Sequence, residues 1–258
     1  MPGDDAAPPT PLESLAAWAA ASPDAALQKY CTPHTLRRFH DAHHGDLEKA
    51  KAGLKESSVW HAATIDPSFS CSLCAASNSG AHSFVYLGRD ARGNSVFYGC
   101  SARASEGGEV PLTIAHCANA LERTFAGEDA DADPRRWVWV VDFNGYGFVH
   151  SLQARLGMAF GLLFRDRFPE RLSAIILINP PTLFKMLISA LGAIADARTM
   201  AKLQTVIAPT PKDAIDELRS RFGIDDADML AWLSTAFSTP AVPGTLPPVP
   251  EAARAFQV

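Results

Sequence analysis

The chain has 258 residues, 47% of them apolar and 20% charged, with 28 acidic against 23 basic side chains and a net charge of −5. That length fits one large domain, or one domain with a small helical companion, and the apolar share supports a sizeable core and excludes wholesale disorder. The acidic balance argues against nucleic-acid binding. Five cysteines without a secretory leader do not read as a disulfide framework, and no apolar run approaches the roughly 18 residues that span a bilayer, so a soluble cytoplasmic protein is expected.

Residues 1–11 are acidic and Pro-rich and are expected to form a flexible tail. Residues 12–62 read as a helical N-terminal unit of three or four helices. Pro33 opens a helix carrying Leu36, Phe39 and Ala42, and Gly45 stops it. Asp46 is a suitable N-cap for the next helix, whose Leu47, Ala50, Leu54 and Trp60 fall roughly on one face. Residues 61–81 are rich in Ser, Ala, Cys and Asn and are expected to connect two layers of structure.

Two β-rich runs, at 84–87 and 95–100, flank a Gly93-centred turn and predict a hairpin. Helical spacing follows over 111–125. Residues 137–141 (Trp-Val-Trp-Val-Val) are continuously apolar and rich in β-branched and aromatic residues, the pattern of a strand covered on both faces. A helix over 151–168 and a second apolar strand at 174–178 complete a βαβ unit with parallel strands. Another helix over 182–194, a short strand at 204–208 and helices near 212–222 and 225–237 close an α/β domain at 82–237. Residues 238–258 are expected to be a flexible, Pro-rich tail.

Few residues offer chemistry by spacing. Cys71 and Cys74 form a lone C-x-x-C. No second pair stands at zinc-ligand spacing, and His61 and His82 lie in no such motif, so the two are expected to be small residues of a connecting loop. His40, His43 and His44 cluster on one helix without the Glu of an H-E-x-x-H zinc helix and read as a polar face. Asp142 is expected to cap the turn at Asn144-Gly145. No nucleophile elbow, phosphate loop or dinucleotide fingerprint occurs, so neither enzyme activity, metal nor cofactor is expected.

The helix over 182–194 is the unusual element. Leu183, Phe184, Met186, Leu187, Ile188, Leu191 and Ile194 cover most of its circumference, with Lys185 its only charge. Such a helix is either deeply buried or presents an apolar face to something other than water. Between Arg165 and Lys202, six basic residues stand against three acidic in an acidic chain, a combination that suits transient contact with an anionic membrane surface.

Six segments in order resemble the CRAL-TRIO family of lipid-binding proteins, over about residues 35–237. They are Thr35-Leu36-Arg37-Arg38-Phe39 with Asp46-Leu47-Glu48-Lys49-Ala50-Lys51 and Trp60; Asp90-Ala91-Arg92-Gly93-Asn94-Ser95-Val96-Phe97-Tyr98; Val140-Val141-Asp142-Phe143-Asn144-Gly145; Phe168-Pro169-Glu170-Arg171-Leu172; Ile178-Asn179-Pro180-Pro181; and Thr199-Met200-Ala201-Lys202-Leu203. The resemblance implies an α/β fold with a small, mostly parallel sheet, an apolar lipid cavity and a mobile gate helix, preceded by the helical unit. It implies that Phe184, Leu187, Ile188 and Leu191 form the gate. It also implies that Thr199 and Lys202, with His43 and His44 in place of a basic pair, hold a lipid headgroup. Histidine is mostly neutral near pH 7, which weakens that second anchor. A monomer binding a phospholipid such as phosphatidylinositol, peripheral to membranes, is the function this implies. An isoprenoid or sterol carrier and a protein-interaction module with a vestigial cavity are the alternatives.

Overall fold

The computed structural model describes residues 8–76, 80–105, 109–129, 132–151, 154–182, 184 and 200–258. Four helices form the N-terminal unit: α1 (Pro11–Ala20), α2 (Ala25–Tyr30), α3 (Pro33–Ala42) and α4 (Leu47–Thr64). Each starts on a side-chain cap, from Thr10, Asp24, Thr32 and Asp46, which satisfies backbone N–H groups the first turn leaves open. Leu15, Leu27, Leu36, Phe39, Ala50 and Leu54 close a core of its own.

The connection after α4 carries a short helix, α5 (Ser72–Ala76). The sheet then follows as β1 (Phe84–Arg89), β2 (Ser95–Gly99), β3 (Trp137–Asp142), β4 (Leu172–Ile178) and β5 (Leu203–Val206), in spatial order β1-β2-β3-β4-β5. β1 and β2 form the expected antiparallel hairpin, and β2 to β5 run parallel. The parallel strands are joined by α6 (Val110–Phe125), by α7 (Phe148–Ser151) and α8 (Ala154–Leu162) with a π-helical turn at Leu163–Arg167, and by the 179–202 connection. α9 (Pro211–Phe222) and α10 (Ala227–Ser238) follow β5.

Strand alternation divides the sheet into two faces. Val96, Tyr98, Val138, Val140, Ile176, Ile178 and Val206 point to a first face packed by Leu218 of α9 and Met229, Trp232 and Leu233 of α10. Phe84, Tyr86, Phe97 and Trp137 point to a second face covered by Cys117, Leu121 and Phe125 of α6. The N-terminal unit docks beside this second face. Ser57 Oγ donates to the Asp166 carbonyl at 2.8 Å, Arg38 donates to the Pro169 carbonyl at 3.3 Å, and Trp60 meets Phe168 edge-on.

The C-terminal segment departs from the expected flexible tail. Buried Arg103 donates to the carbonyls of Ala236 and Thr239, each at 2.8 Å, and of Thr245 at 3.1 Å. Gly244 N–H returns a bond to the Arg103 carbonyl. A 3₁₀ helix (Glu251–Phe256) then lies along edge strand β1, with Phe256 against Tyr86 and Gln257 Nε2 donating to the Tyr86 carbonyl at 3.0 Å. The strap covers a sheet edge that would otherwise offer unpaired backbone groups.

Candidate functional site

Among the described residues, helices complete the second face only over β1 to β3. In-register pairing sets Phe97, Trp139, Ile175 and Leu203 in one row across β2 to β5, and Val141, Leu177 and Thr205 in the next. At the β2–β3 end the row is packed: Trp139 meets Phe160 and Phe164 at ring separations of 5.1 and 5.8 Å. Towards β5, Val141, Ile175 and Leu203 are only half-buried and Thr205 is exposed among the described residues.

Large apolar side chains are also exposed on the segments after β3 and β5. Phe148 and Val149 of α7 are 71% and 70% exposed, and Met158 of α8 is 66% exposed. Leu162, at the end of α8, and Ile207, just after β5, are exposed as well. Trp139 Nε1–H is buried without an acceptor among the described residues. That donor lies against Gly99 of β2, at the packed end of the row, so the open half-face is suited to a hydrophobic ligand through its apolar side chains.

The expected gate falls mostly outside the described residues: Leu187, Ile188 and Leu191 lie there, as does Thr199. Phe184 is described. Its ring packs on Phe143 at 4.5 Å and on Tyr146 at 6.1 Å, in the loop after β3. Lys202 stands at the entry to β5, its Nζ 3.8 Å from Glu170 Oε2. His43 and His44 belong to another neighbourhood, the turn between α3 and α4. There the His43 ring lies against Phe39, its pKa pushed below the usual value by burial, and His44 adopts a left-handed backbone ahead of Gly45. A lowered pKa keeps His43 neutral at pH 7, so it is a poor anchor for an anionic headgroup.

The carboxyl ends of β3 and β4 border a cavity of about 210 Å³. Its polar groups are used within the protein. Asp142 accepts from Asn144 N–H at 2.9 Å, the turn cap the sequence predicts, and from the Tyr98 hydroxyl at 2.7 Å. Burial raises the Asp142 pKa. Asn179 exchanges two bonds with the Ala208 backbone, and Thr210 caps α9. With its polar lining already paired and its volume below the roughly 300–1,000 Å³ of ligand pockets, this cavity does not suit a lipid.

Cys71 and Cys74 are not two isolated loop residues, as their spacing suggests. They flank the start of α5 and meet His82, just before β1, and His116 of α6, so that one ligand atom from each lies within 4.8 Å of all the others. His61, the other histidine the sequence raises, faces Glu122 instead. His116 carries no sequence signal, because only the packing of α6 on β1 brings it to the cysteines.

The comparisons agree with this architecture. The fold is similar to the crystal structure of Sfh5, with 15% identity, a TM-score of 0.57 and 72% of each chain covered. No curated protein sequence matches the chain. The CRAL/TRIO domain matches residues 81–225, more than half of the chain, although the first-face core continues beyond it into α10. The chain belongs to the CRAL/TRIO domain family.

Proposed function

We propose that this protein seats a phospholipid on the half-covered second face of its sheet and transfers or presents it at membrane surfaces. Membership of the CRAL/TRIO family supports lipid binding in general. The observation that carries the reading is the row Trp139, Ile175 and Leu203, packed at Trp139 and only half-buried at Ile175 and Leu203 among the described residues.

Topology supports a cover for that row. The connections β2–β3, β3–β4 and β4–β5 all step in one direction across a parallel sheet. Right-handed crossovers of this kind pass over the same face, the one α6 and α8 already occupy. The β4–β5 connection holds the apolar stretch at 182–194, which in this reading is the gate, anchored by Phe184 and facing the ligand with Leu187, Ile188 and Leu191. Thr199 and Lys202 are the headgroup contacts. Lys202 is partnered by Glu170, so a headgroup phosphate would compete with a carboxylate for it.

Hydrocarbon exposure explains why a gate is needed. Each CH₂ left in water costs about 0.8 kcal/mol, so two ordinary acyl chains lose more than about 20 kcal/mol unless enclosed or in membrane. Each buried gate side chain contributes about 1.5–3 kcal/mol, which lets membrane docking and closure lie close in free energy. No described helix is long and apolar enough to cross a membrane, so the contact in this reading is peripheral.

Vesicle-to-vesicle transfer of a fluorescent phospholipid tests the proposal. Leu187→Asp with Ile188→Asp abolishes transfer while the circular dichroism spectrum is retained. Unchanged transfer rejects the gate. A sterol or isoprenoid ligand is distinguished by Lys202→Ala, which then leaves binding intact because no phosphate is held.

A further inference from the structure

We propose that Cys71, Cys74, His82 and His116 form a structural zinc site that fastens the connection between the helical unit and the sheet. The four donors come from three separate elements: the start of α5, the residue pair before β1, and α6. Cys71 Sγ lies 3.3 Å from His82 Nε2, and Cys74 Sγ lies 3.7 Å from His116 Nδ1. The His82 and His116 rings are 4.8 Å apart, tilted by 50°. Around a tetrahedral zinc, bond lengths near 2.3 Å to sulfur and 2.05 Å to nitrogen put neighbouring donors about 3.3–3.8 Å apart. The observed separations already approach that figure.

The outer contacts are those of ligating histidines. His116 Nε2 faces the Phe84 carbonyl at 3.2 Å, a bond that requires the proton on Nε2 and turns the Nδ1 lone pair towards Cys74. His82 Nδ1 faces the Thr113 hydroxyl at 3.0 Å, which orients Nε2 towards Cys71. Both rings are therefore held by the nitrogen that does not point at sulfur.

Burial decides the type of site. Cys71, Cys74, His82 and His116 are 1%, 2%, 8% and 4% exposed. Four protein donors closed off from water leave no position for substrate, so the role is structural and not catalytic. Two thiolates with two imidazoles select a soft or borderline cation and disfavour calcium or magnesium. Exchange chemistry at the C-x-x-C is disfavoured by the same burial, since thiol–disulfide exchange needs access.

The local structure shows what such an ion would contribute. α5 is five residues long, too short to be stable alone, and among the described residues the apolar cluster it joins is small, made of Cys71, Cys74 and Ala81 with Phe69 and Leu73 against it. A zinc ion ties this segment to β1 and α6 where little apolar area is available. Binding releases the two thiol protons to solvent as the thiolates bond the metal.

The test uses the full chain purified under reducing conditions. Elemental analysis is expected to find about one zinc per chain. After chelator treatment, cobalt(II) is expected to bind at the same stoichiometry, with tetrahedral ligand-field bands and thiolate charge-transfer absorption that zinc then displaces. Cys74→Ser and His116→Asn lose this signal, while Cys31→Ser and His61→Asn keep it. Thr113→Val, which removes only the His82 support, keeps the stoichiometry and weakens affinity by about 10–100-fold. Should the ligand variants not fold, the wild-type cobalt spectrum still decides. A zinc-free wild type that takes up no cobalt, an octahedral spectrum, or a Cys71–Cys74 disulfide in the reduced protein overturns the proposal.

Discussion

The Phe184 ring packs on Phe143 at 4.5 Å between centroids, joining the start of the 182–194 stretch to the loop that ends β3. An aromatic pair of this kind contributes about 0.5–1.5 kcal/mol beyond its buried area. Phe143→Ala is therefore expected to shift the gate towards its open form and speed release of a fluorescent lipid by about two- to ten-fold, with Phe143→Leu in between. Stopped-flow release into acceptor vesicles measures this. Identical rates in all three proteins would detach Phe184 from gating.

Trp139 offers a second, independent check. Its buried Nε1–H lacks an acceptor among the described residues, and such a group costs about 1–3 kcal/mol when left unpaired. Trp139→Phe is expected to raise the stability of delipidated protein by about 1 kcal/mol in urea unfolding. The same gain is expected in lipid-loaded protein, because the indole N–H lies against Gly99 at the packed end of the row. A gain confined to delipidated protein would mean that a ligand oxygen reaches this donor.

Glu128 and Arg171 form the buried ion pair beside the sheet, both donor–acceptor distances being 2.6 Å. Burial alone raises the Glu128 pKa, but the Arg171 bonds and charge and the Arg135 N–H outweigh it and hold the carboxyl below its usual value. A carboxylate whose folded pKa is depressed contributes stability above its unfolded pKa, and that contribution is lost as pH falls through the folded value. Glu128→Gln leaves Arg171 buried near Arg38 and is expected to cost about 3–5 kcal/mol at neutral pH. The difference from wild type should shrink in acid. A difference independent of pH would remove the ion pair as its cause.

Arg103 ties down the C-terminal strap through the carbonyls of Ala236, Thr239 and Thr245. Arg103→Ala leaves these acceptors without their donor, at about 1–3 kcal/mol for each one that water does not reach. The expected result is a loss of at least about 3 kcal/mol in denaturant unfolding and faster proteolysis after residue 238. Unaltered proteolysis would show that the strap is held without Arg103.

Regular elements were legible where periodicity and composition agreed. Trp137, Val138, Trp139, Val140 and Val141 announce a covered strand, and β3 adds only Asp142. β5 was harder to bound. It ends at Val206, short of the expected 208, because the Asn179 amide takes both the N–H and the carbonyl of Ala208 out of the ladder. The strap was not legible, since Arg103 bonds to backbone carbonyls that carry no sequence identity. His116 was missed for a related reason: it reaches Cys74 by packing of α6, not by spacing. Of the expected headgroup set, Lys202 and His43 are described in different neighbourhoods, and burial weakens the case for His43.

The central claim is that the second face of the sheet holds a lipid. Native mass spectrometry of the purified full chain, followed by lipid identification after extraction, measures this most directly. The account predicts one phospholipid per chain, lost in a variant with Ile175→Asp on the open row. A chain that carries no lipid and takes none from phospholipid vesicles would contradict it.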